Sequence, residues 1–208
     1  MRALIILNSE LPPESRYRQA LDNADMVICA DGGANRALEA GIQPHYVVGD
    51  LDSISPETRK QLAEARIIYT PRQDAPDVEK TLQFAREHGV QSAVLLGVTA
   101  GRFDHQICNL NIMEKFSSAM HLRCIDTWGV GEFVRGWLRF EAPVGQQVSL
   151  FAFRKAGGIT TTGLKYPLID AEMEWAVNDG LSNEVVSSPV EIRIEEGTLF
   201  VYRVWPDA

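Results

Sequence analysis

The feature that most constrains this chain is a regular alternation, over its first 125 residues, of short apolar β-branched runs with amphipathic stretches. The apolar runs predict strands at 3–7, 26–30, 46–48, 67–70, 93–97 and 121–125. The stretches between them have helical periodicity, and Ser55-Pro56 is typical of a helix start while His88-Gly89 is typical of a helix end. Strands that alternate with helices form a parallel sheet with crossover helices. The pattern therefore predicts an α/β domain.

The sequence pattern changes after about residue 125. Helical periodicity ends there, and segments of alternating apolar and polar residues, interrupted by glycines, begin. Predicted strands lie at 133–140, 148–153, 159–162, 190–194 and 199–204, and a tight turn containing Gly197 joins the last two. This pattern predicts an antiparallel β module, which we expect to be a sandwich. The predicted fold class is therefore α/β, with a Rossmann-like parallel-sheet domain at residues 1–125 followed by an antiparallel β-sandwich at residues 126–208.

Charge and composition narrow the classes of partner. The chain has 208 residues, with 20 Lys and Arg against 28 Asp and Glu and a net charge of -8. Because phosphate backbones and anionic membranes require clustered cations, we expect neither nucleic acid nor a membrane as a partner. No apolar run has the length of a signal-peptide core or of a membrane span, so we expect a cytoplasmic protein. The three cysteines form no paired motif and are expected to be core residues: Cys29, Cys108 and Cys124.

Polar segments follow four successive predicted strands, at the edge where open parallel sheets bind ligands. They are DGGAN at 31–35, GDLDS at 49–53, a segment at 73–80 with Asp74, Asp77 and Lys80, and GRFDH at 101–105. Clustered carboxylates require a proton or a cation to neutralise them, and oxygen ligands without His or Cys favour Mg²⁺. Glycines and helix N-termini suit phosphate binding. The residues therefore indicate a phosphoryl-group enzyme that uses a magnesium nucleotide.

The usual NTPase motifs are excluded, because neither a Walker A sequence nor a protein-kinase glycine loop occurs. Each polar segment also has an ordinary structural interpretation. Taken singly, residues 31–33 fit a common turn, and Asp50 with Asp52 fit solvated loop carboxylates. Asp77 fits a helix cap and Lys80 a solvated lysine. Arg102 with Asp104 fit a surface ion pair. Only the coincidence of all four segments at one sheet edge favours a site.

In this order, the segments resemble the thiamine pyrophosphokinase family. The motifs are DGGAN at 31–35, GDLDS at 49–53, QDAPDVEKT at 73–81, GRFDH at 101–105, TTTGLKYPL at 160–168 and SNE at 182–184. The resemblance covers essentially the whole chain and implies conversion of ATP and thiamine into AMP and thiamine diphosphate, with Mg²⁺ as the cofactor. It further implies a catalytic, nucleotide-binding domain at 1–125, a thiamine-binding domain at 126–208, and a homodimer with sites between subunits.

The resemblance also implies roles for individual residues. Asp50 and Asp52 are implied metal ligands, and Asp77 is the third carboxylate near the metal and the phosphates. Gln73 completes the implied catalytic set beside the reacting phosphates. The implied nucleotide-binding residues are Asp31, Asn35, Lys80, Arg102 and Asp104. The implied thiamine-binding residues are Gly163, Leu164, Lys165, Ser182 and Asn183.

Two positions depart from the family pattern. The usual Gly-Gly-Arg is Ala100-Gly101-Arg102 here, and the usual Thr-Asp before the lysine helix is Pro76-Asp77. Ala100 adds a β-carbon to a loop expected near the phosphates. Pro76 lacks a backbone donor but suits a helix start.

We expect the thiamine hydroxyl to attack the β-phosphorus of ATP in line, with Mg²⁺ stabilising the developing charge. Other functions stay open at this point. One is a pyrophosphokinase for another hydroxymethyl heterocycle, such as a pterin, and another is a nucleotide or thiamine sensor without turnover. A phosphatase with an aspartyl nucleophile is weaker, because such enzymes usually carry the motif after their first strand.

Overall fold

The computed structural model describes residues 1–62, 65–71 and 74–207. The chain divides into two compact units, Met1–Thr127 and Trp128–Ala208. The functions that the sequence assigns to residues 1–125 and 126–208 stay predictions. Among the described residues, no helix combines the length and the apolar composition that a membrane span needs.

The first unit is a parallel sheet with connecting helices. Its strands are β1 Arg2–Ile6, β2 Met26–Ala30, β3 Tyr46–Gly49, β4 Arg66–Tyr69, β5 Ser92–Leu96 and β6 His121–Ile125. Its helices are α1 Glu14–Asp22, α2 Gly33–Glu39, α3 Pro56–Gln61, α4 Asp77–Glu87 and α5 Phe103–Phe116. The strands run in the order β6-β5-β1-β2-β3-β4, and every pairing among them is parallel. The predicted parallel α/β fold is confirmed.

Burial explains why the central strands are continuously apolar. All five residues of β2 are buried, because helices cover both faces of a parallel sheet. Strand β4 has no buried residue and lies at the end of the strand order. The sheet edge formed by the carboxyl ends of the central strands therefore rests on a rigid core.

Two helix starts follow from local chemistry. Ser55 is the N-cap of α3, and its side chain accepts a hydrogen bond of 3.1 Å from the Thr58 N–H, as the Ser-Pro sequence predicts. Helix α4 begins at Asp77, and Pro76 precedes it in an extended conformation. Asp77 is thus the first helical residue and not the cap, which leaves its carboxylate available to the sheet edge.

The cysteines are mostly core residues, as predicted. Cys29 and Cys124 are buried, whereas Cys108 on α5 is half-buried. Burial raises the pKa of the Cys29 thiol well above its usual range, so this thiol stays protonated.

The second unit consists of antiparallel strands in two layers. Its strands are β7 Gly129–Val134, β8 Trp137–Phe140, β9 Gln147–Phe151, β10 Lys155–Thr162, β11 Ala171–Glu174, β12 Gly180–Glu184, β13 Val190–Arg193 and β14 Leu199–Val204. Within this unit the strand orders are β12-β9-β14-β7 and β11-β10-β13-β8. Residues of both layers share one buried core, including Leu150 and Val201 from one and Ile159 and Ile192 from the other. The predicted sandwich is confirmed.

The prediction of one strand at 133–140 is wrong. The chain leaves β7 after Val134, passes Gly136 at a φ of 73°, and enters β8 at Trp137. Strand β7 pairs with β14 while β8 pairs with β13, so the two strands belong to different layers. Apolar residues on both sides of Arg135-Gly136 favour one strand, although the interruption at this pair marks the corner.

Candidate active site

A cavity of about 330 Å³ lies at the carboxyl ends of the parallel strands of the first unit. Residues that follow β1, β2 and β5 line it together with the first residues of α4 and α5. Strands β2 to β4 extend from one side of β1, and β5 and β6 extend from the other. The crossover direction therefore reverses beside β1, and open α/β sheets bind ligands at such a reversal.

Three carboxylates meet next to this cavity. Asp31, Asp50 and Asp52 have carboxylate oxygens within 4.8 Å of one another, and we call these three residues the acidic group. Their proximity follows from the sheet, because β2 and β3 pair with Ala30 opposite Val48. The approach also requires a glycine, since a β-carbon on Gly49 would lie 2.7 Å from the β-carbon of Asp31. The acidic group contains Asp31 where the family resemblance implied Asp77.

Asp31 is the buried member of the acidic group, with 2% of its surface exposed. Its Oδ2 accepts a hydrogen bond of 3.2 Å from the Ser53 N–H, whereas its buried Oδ1 has no hydrogen-bond partner among the described residues. Burial raises the pKa of Asp31, and the nearby charge of Asp77 raises it further. A buried carboxylate with an unbonded oxygen beside two other carboxylates fits a divalent cation, which would supply the missing partner.

The segment that carries Asp50 and Asp52, residues 50–55, is here called the acidic loop. Ser53 connects two of the carboxylates, because its N–H binds Asp31 and its hydroxyl donates to Asp52 Oδ1 at 2.9 Å. Leu51 has a φ of 68°, a conformation that costs a residue with a β-carbon about 1–2 kcal/mol. Such a conformation persists only where surrounding contacts impose it.

Asn35 supplies contacts of that kind from α2. Its Nδ2 donates to the Ser53 carbonyl at 2.8 Å, and its Oδ1 accepts from the Ser55 N–H at 3.0 Å. Both ends of the carboxamide thus bind the backbone of the acidic loop. The resemblance implied a nucleotide contact for this residue.

Helix α4 brings Asp77 and Lys80 together. The Lys80 ammonium lies 3.0 Å from Asp77 Oδ1, and its side chain is only 7% exposed. Asp77 also lines the cavity. Gln73, the remaining residue of the implied catalytic set, lies outside the described residues.

The loop between β5 and α5 borders the same cavity. Gly97 and Gly101 have φ angles of 78° and 79°, which favour glycine. Ala100 is not among the residues with positive φ, so the departure from the family pattern introduces no backbone strain. Asn109 and Gln106 on α5 hold this loop by donating to the carbonyls of Val98 at 3.1 Å and Gly101 at 3.0 Å.

Arg102 and Asp104 form an exposed two-point ion pair. Arg102 Nε lies 3.1 Å from Asp104 Oδ1, and the second guanidinium contact is 2.5 Å. Hydrogen bonding from Arg102 lowers the pKa of Asp104, and the same bond raises the pKa of Arg102. Arg102 lines the cavity, whereas its partner extends from the first turn of α5.

Sequence reasoning missed the polar residues after the first strand. Asn8 and Ser9 line the cavity, and a β-carbon on Gly32 would lie 2.3 Å from Asn8 Nδ2. The signal was present, because a polar pair follows the apolar run of β1 just as carboxylates follow later strands.

The segments implied for thiamine in the second unit separate into buried and exposed positions. Leu164 belongs to the core, and Gly163 has a φ of 82° with a backbone carbonyl 2.6 Å from where a β-carbon would lie. Lys165 is exposed and lies 2.9 Å from Glu184. Ser182 is exposed and has a φ of 56°.

Asn183 is buried and binds the backbone of Tyr166 from both ends of its carboxamide. Its Oδ1 accepts from the Tyr166 N–H at 3.1 Å, and its Nδ2 donates to the Tyr166 carbonyl at 2.8 Å. Tyr166 itself is 64% exposed. Asn183 therefore shapes the turn that presents this residue.

Both halves of the chain match models of known protein families. Residues 17–125 match the family described as thiamin pyrophosphokinase, catalytic domain, and residues 138–199 match thiamin pyrophosphokinase, vitamin B1 binding domain. The chain belongs to the thiamin pyrophosphokinase family. The resemblance seen in the sequence motifs is confirmed, and so is the expectation of an enzyme, a transferase of the thiamine diphosphokinase class.

Relatives in this family match over most of their length. The chain is 28% identical to a thiamine pyrophosphokinase of Bacillus subtilis (strain 168), over 88% of each chain, and 28% identical to thiamine pyrophosphokinase 2 of Oryza sativa subsp. japonica, over 95% of this chain and 84% of the relative. The crystal structure of thiamine pyrophosphokinase from Bacillus subtilis superposes with a TM-score of 0.87 at 25% identity, covering 99% of this chain and all of that one. That of thiamin pyrophosphokinase from Geobacillus thermodenitrificans gives 0.84 at 26% identity, covering 100% and 99%.

Proposed function

We propose that this chain transfers the pyrophosphoryl group of ATP to the hydroxyl of thiamine, giving thiamine diphosphate and AMP. The observation that carries the proposal is the acidic group beside a cavity at the reversal of crossover direction, in a chain of this family. The thiamine hydroxyl releases its proton to solvent as its oxygen forms the new bond to the β-phosphorus, and the bond from that phosphorus to the AMP oxygen breaks. The pyrophosphoryl unit moves intact.

The residues that would hold Mg²⁺ are Asp50 and Asp52, with Asp31 as the buried third ligand. The unbonded Asp31 Oδ1 supports this assignment, since it has no hydrogen-bond partner among the described residues and belongs to a carboxyl group of the acidic group. When bound, Mg²⁺ neutralises charge on phosphate oxygens. Asp77, paired with Lys80, is assigned to the phosphate side of the same cavity rather than to the close group.

The chain's other residues position the substrates. Arg102 supplies positive charge at the cavity, where phosphates would bind, and Lys80 supplies it beside Asp77, which lines the cavity. Asp104 orients Arg102 through its two-point contact. The loop ending at Gly101 brings backbone close to the same space. Positioning and charge neutralisation are what phosphoryl transfer requires of a protein, because the reaction involves little covalent chemistry with side chains.

In the second unit we assign thiamine contact to the exposed residues Lys165 and Ser182. Gly163, Leu164 and Asn183 are assigned to shaping the segments that present them, since Leu164 is buried and Asn183 binds backbone at both ends. This division supports a site formed by a rigid turn with a few exposed polar groups.

We also propose a cytoplasmic homodimer with sites between the subunits. Large apolar side chains that remain exposed in the two units support association: Phe103, Ile107, Trp175, Val177 and Leu181. Light scattering of the purified chain should give twice the 23.1 kDa of one chain, and a mass of one chain at working concentrations would contradict the dimer.

The reaction is tested by incubating the purified chain with ATP, thiamine and Mg²⁺ and separating the products by chromatography. AMP and thiamine diphosphate should appear in equal amounts, and only when thiamine and metal are both present. ADP with thiamine monophosphate would overturn attack at the β-phosphorus. Turnover with a hydroxymethylpterin but not with thiamine would overturn the substrate.

Asp52→Asn tests the metal assignment in the same assay. Because the substitution keeps the shape of the side chain but removes a charge from the acidic group, turnover should fall by at least about 100-fold with the fold intact. Asp22→Asn is the matched control, since Asp22 is exposed on α1 and should leave turnover unchanged. A near-normal rate for Asp52→Asn would remove Asp52 from the metal site.

A further inference from the structure

Among the described residues, the side chain of Asn35 makes two hydrogen bonds, and both go to the acidic loop. Its Nδ2 donates to the Ser53 carbonyl at 2.8 Å, and its Oδ1 accepts from the Ser55 N–H at 3.0 Å. A carboxamide that binds two backbone groups two residues apart determines the orientation of the peptides between them. The backbone from Ser53 to Ser55 is therefore fixed relative to α2.

Ser53 links Asn35 to two of the carboxylates through hydrogen bonds. Its N–H binds Asp31 Oδ2 at 3.2 Å, and its hydroxyl binds Asp52 Oδ1 at 2.9 Å. The Ser53 carbonyl is held by Asn35, so each polar group of this serine has a separate partner. Movement of Ser53 would displace hydrogen bonds to both carboxylates at once.

The strain in the loop shows why an external constraint is needed. Leu51 has a φ of 68°, and Asp31 a φ of 41°. A leucine keeps such an angle only where the surroundings impose it, whereas aspartate adopts it more readily. Helix α2 begins at Gly33, two residues after Asp31, so Asn35 ties Ser53 and Ser55 to the element that follows Asp31.

We propose that Asn35 is a positioning residue that sets the spacing of Asp31 and Asp52 within the acidic group for a divalent cation, rather than a residue that contacts the nucleotide. This inference rests on the proposed function, because it concerns the metal of that reaction. Residues that orient metal ligands typically change metal affinity by about 10–100-fold when removed. The effect should therefore appear in metal binding before any substrate is present.

The test measures Mn²⁺ binding to the substrate-free chain by the loss of the free-ion EPR signal. Asn35→Ala removes both hydrogen bonds and should weaken Mn²⁺ binding by about 10–100-fold. Asn35→Asp keeps the acceptor for Ser55 but removes the donor to Ser53, and it should also weaken binding. Because an added carboxylate would by itself attract a cation, weaker binding by Asn35→Asp can only reflect a displaced loop.

Ser55→Ala is the matched control. It removes the cap of α3, which lies in the same loop, but leaves the Ser55 N–H that Asn35 binds. It should lower the melting temperature while Mn²⁺ affinity stays within twofold of the unmodified chain. Mn²⁺ binding by Asn35→Ala within twofold of the unmodified chain would overturn the positioning role.

The KM for ATP and the Mg²⁺ dependence of the rate together distinguish a positioning role from a nucleotide contact. With saturating Mg²⁺, Asn35→Ala should keep a KM for ATP within about twofold of the unmodified chain and should require a higher Mg²⁺ concentration for half-maximal rate. A raised KM for ATP with unchanged Mn²⁺ affinity would overturn the inference and restore a nucleotide contact. Failure of the unmodified chain to form thiamine diphosphate, with the Mn²⁺ differences intact, would instead overturn the proposed function alone.

Discussion

Asp31 determines how the acidic group behaves when no cation is bound. Its carboxylate is buried, one oxygen is unbonded, and two further carboxylates lie within 4.8 Å. An unsatisfied buried polar group costs about 1–3 kcal/mol, and repulsion between like charges adds to it. The chain therefore tolerates a local free-energy cost at the position that the proposed metal would relieve.

Replacing this residue should raise stability in the absence of metal. Asp31→Asn removes one of three clustered charges while keeping a side chain that can accept from Ser53. We expect the melting temperature without Mg²⁺ to rise by a few degrees, about 2–4 °C per kcal/mol for a chain of this size. The melting temperature should also stop responding to added Mg²⁺. Calorimetry with and without Mg²⁺ checks this, and a lower melting temperature for Asp31→Asn would contradict the proposed repulsion.

The contacts of single residues bear on roles that stay predictions. The resemblance placed Asn35 and Asn183 among ligand contacts, but both use their carboxamides to hold backbone of a neighbouring loop. Leu164, implied for thiamine, is 4% exposed and belongs to the core. A motif identifies residues that a site requires, but hydrogen bonding and burial decide whether a residue contacts the ligand or supports one that does.

At the scale of elements, the strand ends were the most predictable feature. The period of the apolar runs located the six parallel strands, and the rule for open sheets located the edge that carries the polar segments. The inclusion of Asp31 in the acidic group was not predictable in this way. It depends on the pairing of β2 with β3 and on the glycine that lets Asp31 approach, which are contacts between elements distant in sequence.

The loop between β5 and α5 offers a test of backbone strain. Gly101 has a φ of 79°, and a β-carbon there would lie 2.9 Å from Ser9 Oγ in the cavity lining. Gly101→Ala should lower the free energy of unfolding by about 1–2 kcal/mol through the left-handed conformation, and it should also reduce turnover. Urea denaturation and the product assay measure the two effects.

Gly41→Ala is the control for this prediction. Gly41 has a similar φ of 72°, but no atom lies within 4 Å of where its β-carbon would be. It should show the stability loss without the loss of turnover. Equal turnover for the two variants would mean that the shape of the loop after β5 is not critical for the reaction.

At the scale of the whole molecule, the change of periodicity near residue 125 predicted two kinds of architecture in one chain. The structure has a parallel α/β unit followed by an antiparallel sandwich. The corner at Gly136 was not predicted, because a glycine within a strand pattern does not by itself show that β7 and β8 belong to different layers. Sequence patterns report burial along a strand, whereas layer membership depends on pairing.

The acidic group has a further consequence for the way the chain reaches its native state. All three carboxylates lie between residues 31 and 52, so closing the single crossover from β2 to β3 brings them together. Charges that meet before the folding barrier slow the refolding rate rather than hasten unfolding. Mg²⁺ should therefore accelerate refolding in stopped-flow experiments, and Asp52→Asn should reduce this acceleration. If Mg²⁺ only slows unfolding, the βαβ segment around α2 closes after the rate-limiting step. The cation then binds only after the transition state and stabilises the native state alone.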